Sequence, residues 1–199
     1  MPETIESPSG KALKKVASIS TTVKADSKPK PVKIKADPKT RLEENKEYLK
    51  NKNVKAFISS IAKAEGGDYD LKYGGVKGKK NDPWKFSDYT THPGAGSDGK
   101  TTAAGMYQIN NGTWAEMGGK MGLSDFSPDT QDLLAVEILR TVGVIDKIVD
   151  GNIDPALSAA SRRWAALPQG PNLPGRYKQP YMKYDDFVSN YKAAGGEEK

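Results

Sequence analysis

The 199-residue chain contains no Cys and a single His, with 31 Lys and Arg against 25 Asp and Glu. These counts exclude a disulfide framework, a thiolate metal site and a cysteine nucleophile. Carboxylates must therefore carry any acid–base chemistry, and we expect neither a metal ion nor a cofactor.

The positive charge is concentrated at the start of the chain. Residues 1–53 hold 13 Lys and Arg against 7 Asp and Glu, whereas residues 54–199 hold 18 of each. All of the formal net charge of +6 thus belongs to the first quarter of the chain. It carries no information about a site in the remainder.

Residues 1–40 form a Lys- and Pro-rich tail with few large apolar side chains. Such a segment cannot bury enough apolar surface to offset the entropy of ordering its backbone, so we expect it to be disordered. Its many Lys and lack of aromatic residues favour salt-sensitive, nonspecific attraction to an anionic partner. They do not favour specific nucleic-acid binding, which also uses base stacking.

A helical pattern follows the tail. Residues 41–53 are charged on nearly all sides and predict a lead-in helix. The next helix is amphipathic, with apolar residues at the i, i+3, i+4, i+7 spacing: Val54, Phe57, Ile58 and Ile61. Glu65 occupies the following position on this apolar stripe, and Gly66 is a suitable helix end.

The position of Glu65 is unusual because burying an unpaired carboxylate is costly. In a partly buried cleft, desolvation and the carbonyl end of the helix would both raise its pKa. A carboxyl that stays protonated near neutral pH can act as a general acid in glycoside cleavage. The alternative is that the last turn of the helix frays and Glu65 points into water.

The rest of the chain predicts a small β-region followed by helices. Residues 68–100 combine aromatic residues with Gly and Pro and lack a helical period, which indicates one or two irregular hairpins. Later helix starts are predicted at Thr113 with Glu116, at Ser127-Pro128 and at Asp154-Pro155, and a last helix over 180–194. The fold class is therefore α+β and mainly α, with room for a cleft between a helical lobe and the β-region.

Five sequence blocks occur in an order that resembles the phage lambda endolysin family, whose members are lysozyme-like lytic transglycosylases. The blocks are Glu65-Gly66-Gly67, FSDYTTHP from Phe86, TTAAGMYQ from Thr101, GLSDFSPDTQD from Gly122 and RWAALP from Arg163. The similarity extends over residues 54–196. It implies a lysozyme-like catalytic domain with a substrate cleft over that range.

The resemblance also implies a reaction. Family members cleave the β-1,4 bond between N-acetylmuramic acid and N-acetylglucosamine in peptidoglycan, and the muramic acid 6-hydroxyl attacks its own anomeric carbon to leave a 1,6-anhydro ring. Glu65 matches the family's single catalytic acid. One carboxyl suffices because the nucleophile is already tethered to the substrate.

Further site residues are implied by the same blocks. Tyr107 and Gln108 match a pair in the family's cleft, and the neighbouring wall is expected to contribute backbone groups. The full set of substrate-binding candidates is Tyr107, Gln108, Thr102, Ala104, Gly105, Tyr89 and His92. His92 precedes Pro93 and also fits a packed turn residue, and Asp88 fits a turn better than a second catalytic carboxylate. The Lys-rich segment after Glu65 departs from the lambda pattern and leaves the sugar contacts there open.

The sequence also allows other functions. A hydrolysing muramidase would use water as nucleophile, and a wall-binding module of a virion or secretion device would need no acid. No apolar run is long enough for an export signal or a membrane span. We therefore expect a monomer made in the bacterial cytoplasm that acts on peptidoglycan in the periplasm, with release through a holin-type pore, virion transport and injection as possible routes.

Overall fold

The structure, a computed structural model, describes residues 37–199, so the expected disorder of the tail lies outside the described residues up to position 36. The described part contains seven helices: α1 Pro38–Lys50, α2 Lys52–Glu65, α3 Asn111–Met121, α4 Pro128–Thr141, α5 Ile145–Val149, α6 Ile153–Ala160 and α7 Tyr184–Ala193. None of these helices is long and apolar enough to cross a membrane. The expectation of a mainly helical fold is confirmed.

Helices α1 and α2 are joined by one residue. The carboxylate of Asp37 accepts a hydrogen bond from the Thr40 amide at 3.3 Å, so α1 starts at Pro38, three residues before the predicted end of the tail at residue 40. The Asn51 side chain accepts the amides of Asn53 and Val54 at 2.9 and 3.2 Å. This cap begins α2, so the lead-in helix ends at Lys50.

Helix α2 lies at the centre of the core. Its predicted apolar stripe is fully or almost fully buried. Phe57 packs edge-to-face on Phe187 of α7, with ring centres 5.2 Å apart, and also contacts Tyr191 at 6.5 Å. The helix also packs on α1, α4 and α5. These contacts hold its last residue, Glu65, at a fixed position.

Helix α1 is docked on α4 through a buried charge. Glu137 is fully buried and pairs with Arg41, whose guanidinium nitrogen lies 2.7 Å from the carboxylate. The other carboxylate oxygen accepts a hydrogen bond from Asn45 at 2.9 Å, and Asn45 in turn accepts one from Arg140 at 2.7 Å. Polar contacts therefore attach α1, which is charged on nearly all sides, to α4. Hydrophobic periodicity does not predict contacts of this kind.

The β-region is smaller than the predicted hairpins. Over residues 37–199 it consists of three isolated antiparallel bridges: Leu71–Lys85, Lys72–Ala104 and Ala104–Ile109. In the loops between these bridges, carboxylates in turns accept hydrogen bonds from several backbone amides. Asp82 accepts from Val76 and Trp84, and Asp98 accepts from Lys100 and Thr101. Side-chain caps therefore replace strand pairing in these loops.

The predicted helix starts are only partly correct. Ser127 caps α4 as expected. The Thr113 prediction is wrong because Asn110 caps α3 three residues earlier and accepts the Thr113 amide. The Asp154 prediction is also wrong, since α6 starts at the buried Ile153.

The last helix starts four residues later than predicted, at Tyr184. Residues 180–183 are not helical, and the amide of Met182 donates to the Ala166 carbonyl at 2.8 Å. This hydrogen bond holds the segment before α7 against the turn that contains Ala166.

Candidate active site

Glu65 is the last residue of α2, and Gly66 ends the helix in the left-handed conformation at φ 65°. One carboxylate oxygen, Oε1, is buried and has no hydrogen-bond partner among residues 37–199. Burial raises the pKa of Glu65 to about 7, and the nearby backbone N–H of Ala166 offsets part of this rise. An acid with this pKa can give up and take back a proton near neutral pH.

A cavity of about 390 Å³ opens in front of this carboxyl. Its walls come from the end of α2, the loop at residues 71–75, the segment at 101–108 and the turn at 163–165. Glu65 is the one acidic residue among the described residues that line it. Two basic residues, Lys72 and Arg163, line it as well.

Gly67 brings the end of α2 against the 101–108 segment. A Cβ at this position would overlap the carbonyl oxygens of Gly105 and Met106. Only glycine permits so close a backbone approach without displacement. The Gly that follows the Glu-Gly pair thus sets the position of Glu65 relative to the opposite wall.

Gln131 fixes this wall from behind and was missed by the sequence analysis. It is fully buried on α4, and its Oε1 accepts the Met106 amide at 2.8 Å. Its Nε2 donates to the carbonyls of Tyr69 and Phe126 at 3.0 and 2.9 Å. In the sequence, Gln131 is a polar residue near the start of the apolar run of α4. Such a residue can be exposed as easily as buried, so the sequence alone did not single it out.

Gln108 is the substrate-binding candidate that lines the Glu65 cavity. Its backbone has a positive φ of 47°, and its side-chain amide donates to the Gly105 carbonyl at 3.0 Å. A non-Gly residue in this conformation is uncommon and marks a local constraint. Its role in holding substrate stays a prediction.

The substrate-binding candidates Thr102 and Ala104 do not line the Glu65 cavity, whereas the residue before each of them does. Thr101 and Ala103 line it, whereas Ala104 is fully buried and Thr102 accepts the Asn111 amide through its hydroxyl. In an extended segment, successive side chains point to opposite sides, so a shift of one position exchanges wall and core. Gly105 faces Gln131 behind the wall.

Tyr107 is not among the residues that line the Glu65 cavity. It is buried, and its hydroxyl donates to Asp132 Oδ1 at 2.7 Å. The Tyr69 hydroxyl donates to the same oxygen at 2.8 Å. All three line a different cavity with Met106. Burial raises the pKa of Asp132 while the two hydroxyls lower it, and the sequence analysis did not single this residue out.

The FSDYTTHP block is held by internal contacts. His92 is buried, with Nε2 3.0 Å from the Ile109 carbonyl oxygen and Nδ1 3.1 Å from the Gly94 amide. Desolvation lowers the pKa of His92, which favours the neutral ring. Tyr89 packs edge-on against Phe86 at 5.2 Å. These side chains lie outside the lining of the Glu65 cavity.

Asp88 occupies a turn, where it accepts hydrogen bonds from the amide and hydroxyl of Thr90 at 2.9 and 2.7 Å. These bonds lower the pKa of Asp88. It is not among the residues that line the Glu65 cavity. Over residues 37–199, no group of three or more His, Cys, Asp or Glu is arranged to hold a metal ion.

Comparison with known proteins agrees with the resemblance found in the sequence. Residues 55–198 match the protein family described as Endolysin. The endolysin of Escherichia phage lambda is 32% identical over 160 residues, covering 73% of this chain and 93% of the relative. The endolysin of Escherichia phage P2 is 32% identical over 164 residues, with coverage of 73% and 94%.

Solved structures show the same fold. A bacteriophage lambda lysozyme complexed with a chitohexasaccharide matches 75% of this chain and 97% of its own, with a TM-score of 0.61 and 32% identity. Another structure of the bacteriophage lambda lysozyme gives a TM-score of 0.58 at 30% identity over the same shares. The chain therefore belongs to the endolysin family, as a lysozyme-like cell-wall lytic enzyme.

Proposed function

We propose that this endolysin is a lytic transglycosylase. It cleaves the β-1,4 bond between N-acetylmuramic acid and N-acetylglucosamine in peptidoglycan and forms 1,6-anhydro-muramic acid. The observation that carries the proposal is the lone carboxyl of Glu65 in its cavity, with a pKa raised to about 7. A lysozyme that hydrolyses by retention or inversion ordinarily uses a second carboxylate across the bond.

One carboxyl serves both halves of the reaction. Protonated Glu65 donates its proton to the glycosidic oxygen as the bond to the anomeric carbon breaks. The resulting carboxylate then takes the proton of the muramic acid 6-hydroxyl, whose oxygen forms the new bond to the same carbon. The acid is restored, and no water is consumed. Tethering the nucleophile within the substrate gives it a high effective concentration.

The unpaired oxygen of Glu65 is suited to this cycle. No protein donor satisfies Oε1 among residues 37–199, so nothing in this part of the chain holds the group in its ionised form through that oxygen, and Glu65 still lines the cavity where the substrate would bind. Gln108 lines the same cavity, and its side-chain carbonyl oxygen can accept a hydrogen bond from the N–H of an N-acetyl group, since its amide nitrogen already donates to the Leu71 and Gly105 carbonyls. The chitohexasaccharide in the related lambda lysozyme structure is a chain of N-acetylated sugars, like the glycan strand.

The role of Glu65 is tested by Glu65→Gln, which keeps the size of the side chain and removes the transferable proton. We expect turnover of Gram-negative sacculi to fall by about a thousandfold, since general acid–base catalysis typically contributes 10²–10⁴-fold. Asp88→Asn is the matched control, because Asp88 lies outside the cavity. Clearing of sacculus turbidity measures both rates, with circular dichroism as the check on folding. Retained activity in Glu65→Gln would contradict the proposal.

The setting of the reaction follows from the substrate. We propose a monomer that acts on the periplasmic cell wall, with the basic residues before α1 serving as a tether to a virion, a secretion apparatus or the anionic envelope. Residues 1–37 hold eight Lys and no Arg against four Asp and Glu, an excess of positive charge that supports an anionic partner for this segment.

A further inference from the structure

Asp132 on α4 binds two tyrosines from different segments of the chain, and the acid–base cycle uses none of the three. Its Oδ1 accepts the hydroxyl of Tyr69 at 2.8 Å and that of Tyr107 at 2.7 Å. Hydrogen bonds to a carboxylate are stronger than those between neutral groups. Tyr69 follows the Glu65 end of α2, and Tyr107 belongs to the 101–108 segment. One carboxylate therefore joins the chain that leaves α2 to the opposite wall of the Glu65 cavity.

The preceding residue, Gln131, links the same two segments through their backbones. Its Nε2 donates to the Tyr69 carbonyl at 3.0 Å, and its Oε1 accepts the Met106 amide at 2.8 Å. Gln131 is fully buried, so these bonds do not compete with water. Two successive residues of α4 thus hold both segments, one through their backbones and the other through their side chains.

Tyr107 connects Asp132 to a third wall of the cavity. Its carbonyl accepts the indole N–H of Trp164 at 3.0 Å, and Trp164 is buried and lines the Glu65 cavity. The residue after Tyr107 in the chain, Gln108, lines the cavity as well. A displacement of Tyr107 would therefore move two of the side chains that surround the acid.

The turn that contains Trp164 also contacts the acid itself. Two residues further on, the backbone N–H of Ala166 hydrogen-bonds to Glu65 and lowers its pKa against the rise caused by burial. The Trp164 indole fixes this turn to Tyr107, which is in turn held by Asp132. A continuous series of hydrogen bonds and two peptide units thus runs from α4 to the carboxyl of Glu65.

We infer that Asp132 is a positioning residue for Glu65, because its bond to the Tyr107 hydroxyl fixes the turn at residues 164–166 against the acid. The inference rests on Glu65 as the acid of the proposed function and extends that function to a residue outside the cavity. Asp132 is not among the residues that line the Glu65 cavity, and neither is Tyr107. Direct contact of Tyr107 with the sugar is the alternative that the test must separate.

The test removes each partner of the bond between Asp132 and Tyr107. Asp132→Ala removes the acceptor, whereas Tyr107→Phe removes the donor and leaves Asp132 bonded to Tyr69. The double variant removes both, and Asp132→Asn keeps an oxygen acceptor on a side chain of the same size. Tyr48→Phe is the matched control, because the Tyr48 hydroxyl also donates to a carboxylate, that of Asp146 at 3.2 Å, and neither residue lines the Glu65 cavity.

Cleavage of soluble glycan strands gives kcat and KM for each variant, with circular dichroism as the check on folding. We expect kcat of Asp132→Ala and of Tyr107→Phe to fall by about 10–100-fold, the size of effect that a small misplacement of a catalytic group produces. KM should not change, since the lost interaction does not touch the substrate. The double variant should be no slower than the slower single variant, because both act through one bond. Asp132→Asn should recover most of the rate.

The pH profile separates positioning from folding. The rate falls at high pH as Glu65 loses its proton, so this limb of kcat/KM reports the pKa of Glu65, about 7 in the wild type. Displacement of the Ala166 N–H would remove the interaction that favours the ionised acid, and the limb should move to higher pH in Asp132→Ala and Tyr107→Phe. A smaller folded fraction would lower the rate at every pH without moving the limb.

Rates and pH limbs equal to those of Tyr48→Phe would overturn the inference, as would a lower rate with an unmoved limb. A raised KM with unchanged kcat would also overturn it and would assign the Tyr107 hydroxyl to substrate binding. Additive losses in the double variant would show that Asp132 does not act through Tyr107. Any of these results beside an inactive Glu65→Gln removes this inference alone, whereas retained activity in Glu65→Gln contradicts the proposed function and this inference together.

Discussion

At the scale of single residues, the chemistry depends on how one carboxyl is buried. The apolar stripe of α2 predicts that Glu65 faces the interior, and the structure places its Oε1 there without a partner among residues 37–199. The helix end at Gly66 was also predictable, because glycine readily adopts the left-handed conformation. Gln131 and Asp132 were not predictable, since a polar residue on an amphipathic helix ordinarily lies at the surface.

The raised pKa of Glu65 has a consequence for stability. In the unfolded chain the carboxyl ionises near its ordinary value of 4.5, whereas in the folded protein it ionises near 7. The folded state therefore binds more protons between these values and loses stability as the pH rises through this window. Above it, the cost of ionising the buried group reaches up to about 3 kcal/mol.

Glu65→Gln removes this cost. We expect the variant and the wild type to unfold alike at pH 4 and the variant to be more stable at pH 8. Urea unfolding at both pH values measures the difference. A stability difference that does not change with pH would show that Glu65 titrates normally in the folded protein.

A second prediction concerns Gly67. Its substitution by Ala would place a Cβ on the carbonyl oxygens of Gly105 and Met106, so the backbone must shift. We expect Gly67→Ala to destabilise the fold by about 1–3 kcal/mol, as overpacking does, and to reduce turnover by displacing Glu65.

Gly119 provides the matched control, because it lies within α3 and a Cβ there meets no atom within 4 Å. Gly119→Ala should stabilise the protein by about 0.5–1 kcal/mol through its higher helix propensity. Thermal unfolding and turbidity clearing measure both variants. Normal activity and stability in Gly67→Ala would argue against a close approach at this position.

At the scale of helices and loops, apolar periodicity predicted α2 well and described α1 incompletely. Residues that make polar contacts on α4 were indistinguishable from exposed ones in the sequence. The sequence also could not predict which residues of the 101–108 segment face the cavity. That register depends on the isolated bridges of Ala104 to Lys72 and to Ile109, which follow no regular strand pattern. A one-residue shift there exchanges Thr101 and Ala103 for Thr102 and Ala104 at the cavity wall.

The docking of α1 predicts a large effect at Glu137. Glu137→Gln leaves the Arg41 guanidinium, with a side chain 25% exposed, without its counter-charge. We expect a loss of about 2–4 kcal/mol, since breaking a buried ion pair from one side leaves an uncompensated charge. Urea unfolding measures the change.

Glu43→Gln is the control for this prediction, because Glu43 forms an exposed pair with Lys46 in the same helix. Its removal should change stability by less than about 0.5 kcal/mol. Equal effects of the two substitutions would mean that the Arg41–Glu137 pair does not anchor α1.

At the scale of the whole molecule, the fold class and the family were accessible from the sequence because they rest on ordered blocks over residues 54–196. The comparisons confirm both. The neutral charge of residues 54–199 conceals local differences, since the residues that line the Glu65 cavity include one acidic and two basic ones. A sum over the chain cannot reveal such an arrangement, which depends on loops far apart in sequence.

The central claim is that a single carboxyl cleaves the glycan with an internal nucleophile. Mass spectrometry of the soluble muropeptides released from sacculi tests it most directly, with Glu65→Gln as the blank. The account predicts 1,6-anhydro-muropeptides, each lighter by one water than the hydrolysed product and absent from the Glu65→Gln digest. Release of reducing-end muropeptides by the wild type would contradict it and assign the enzyme as a hydrolysing muramidase.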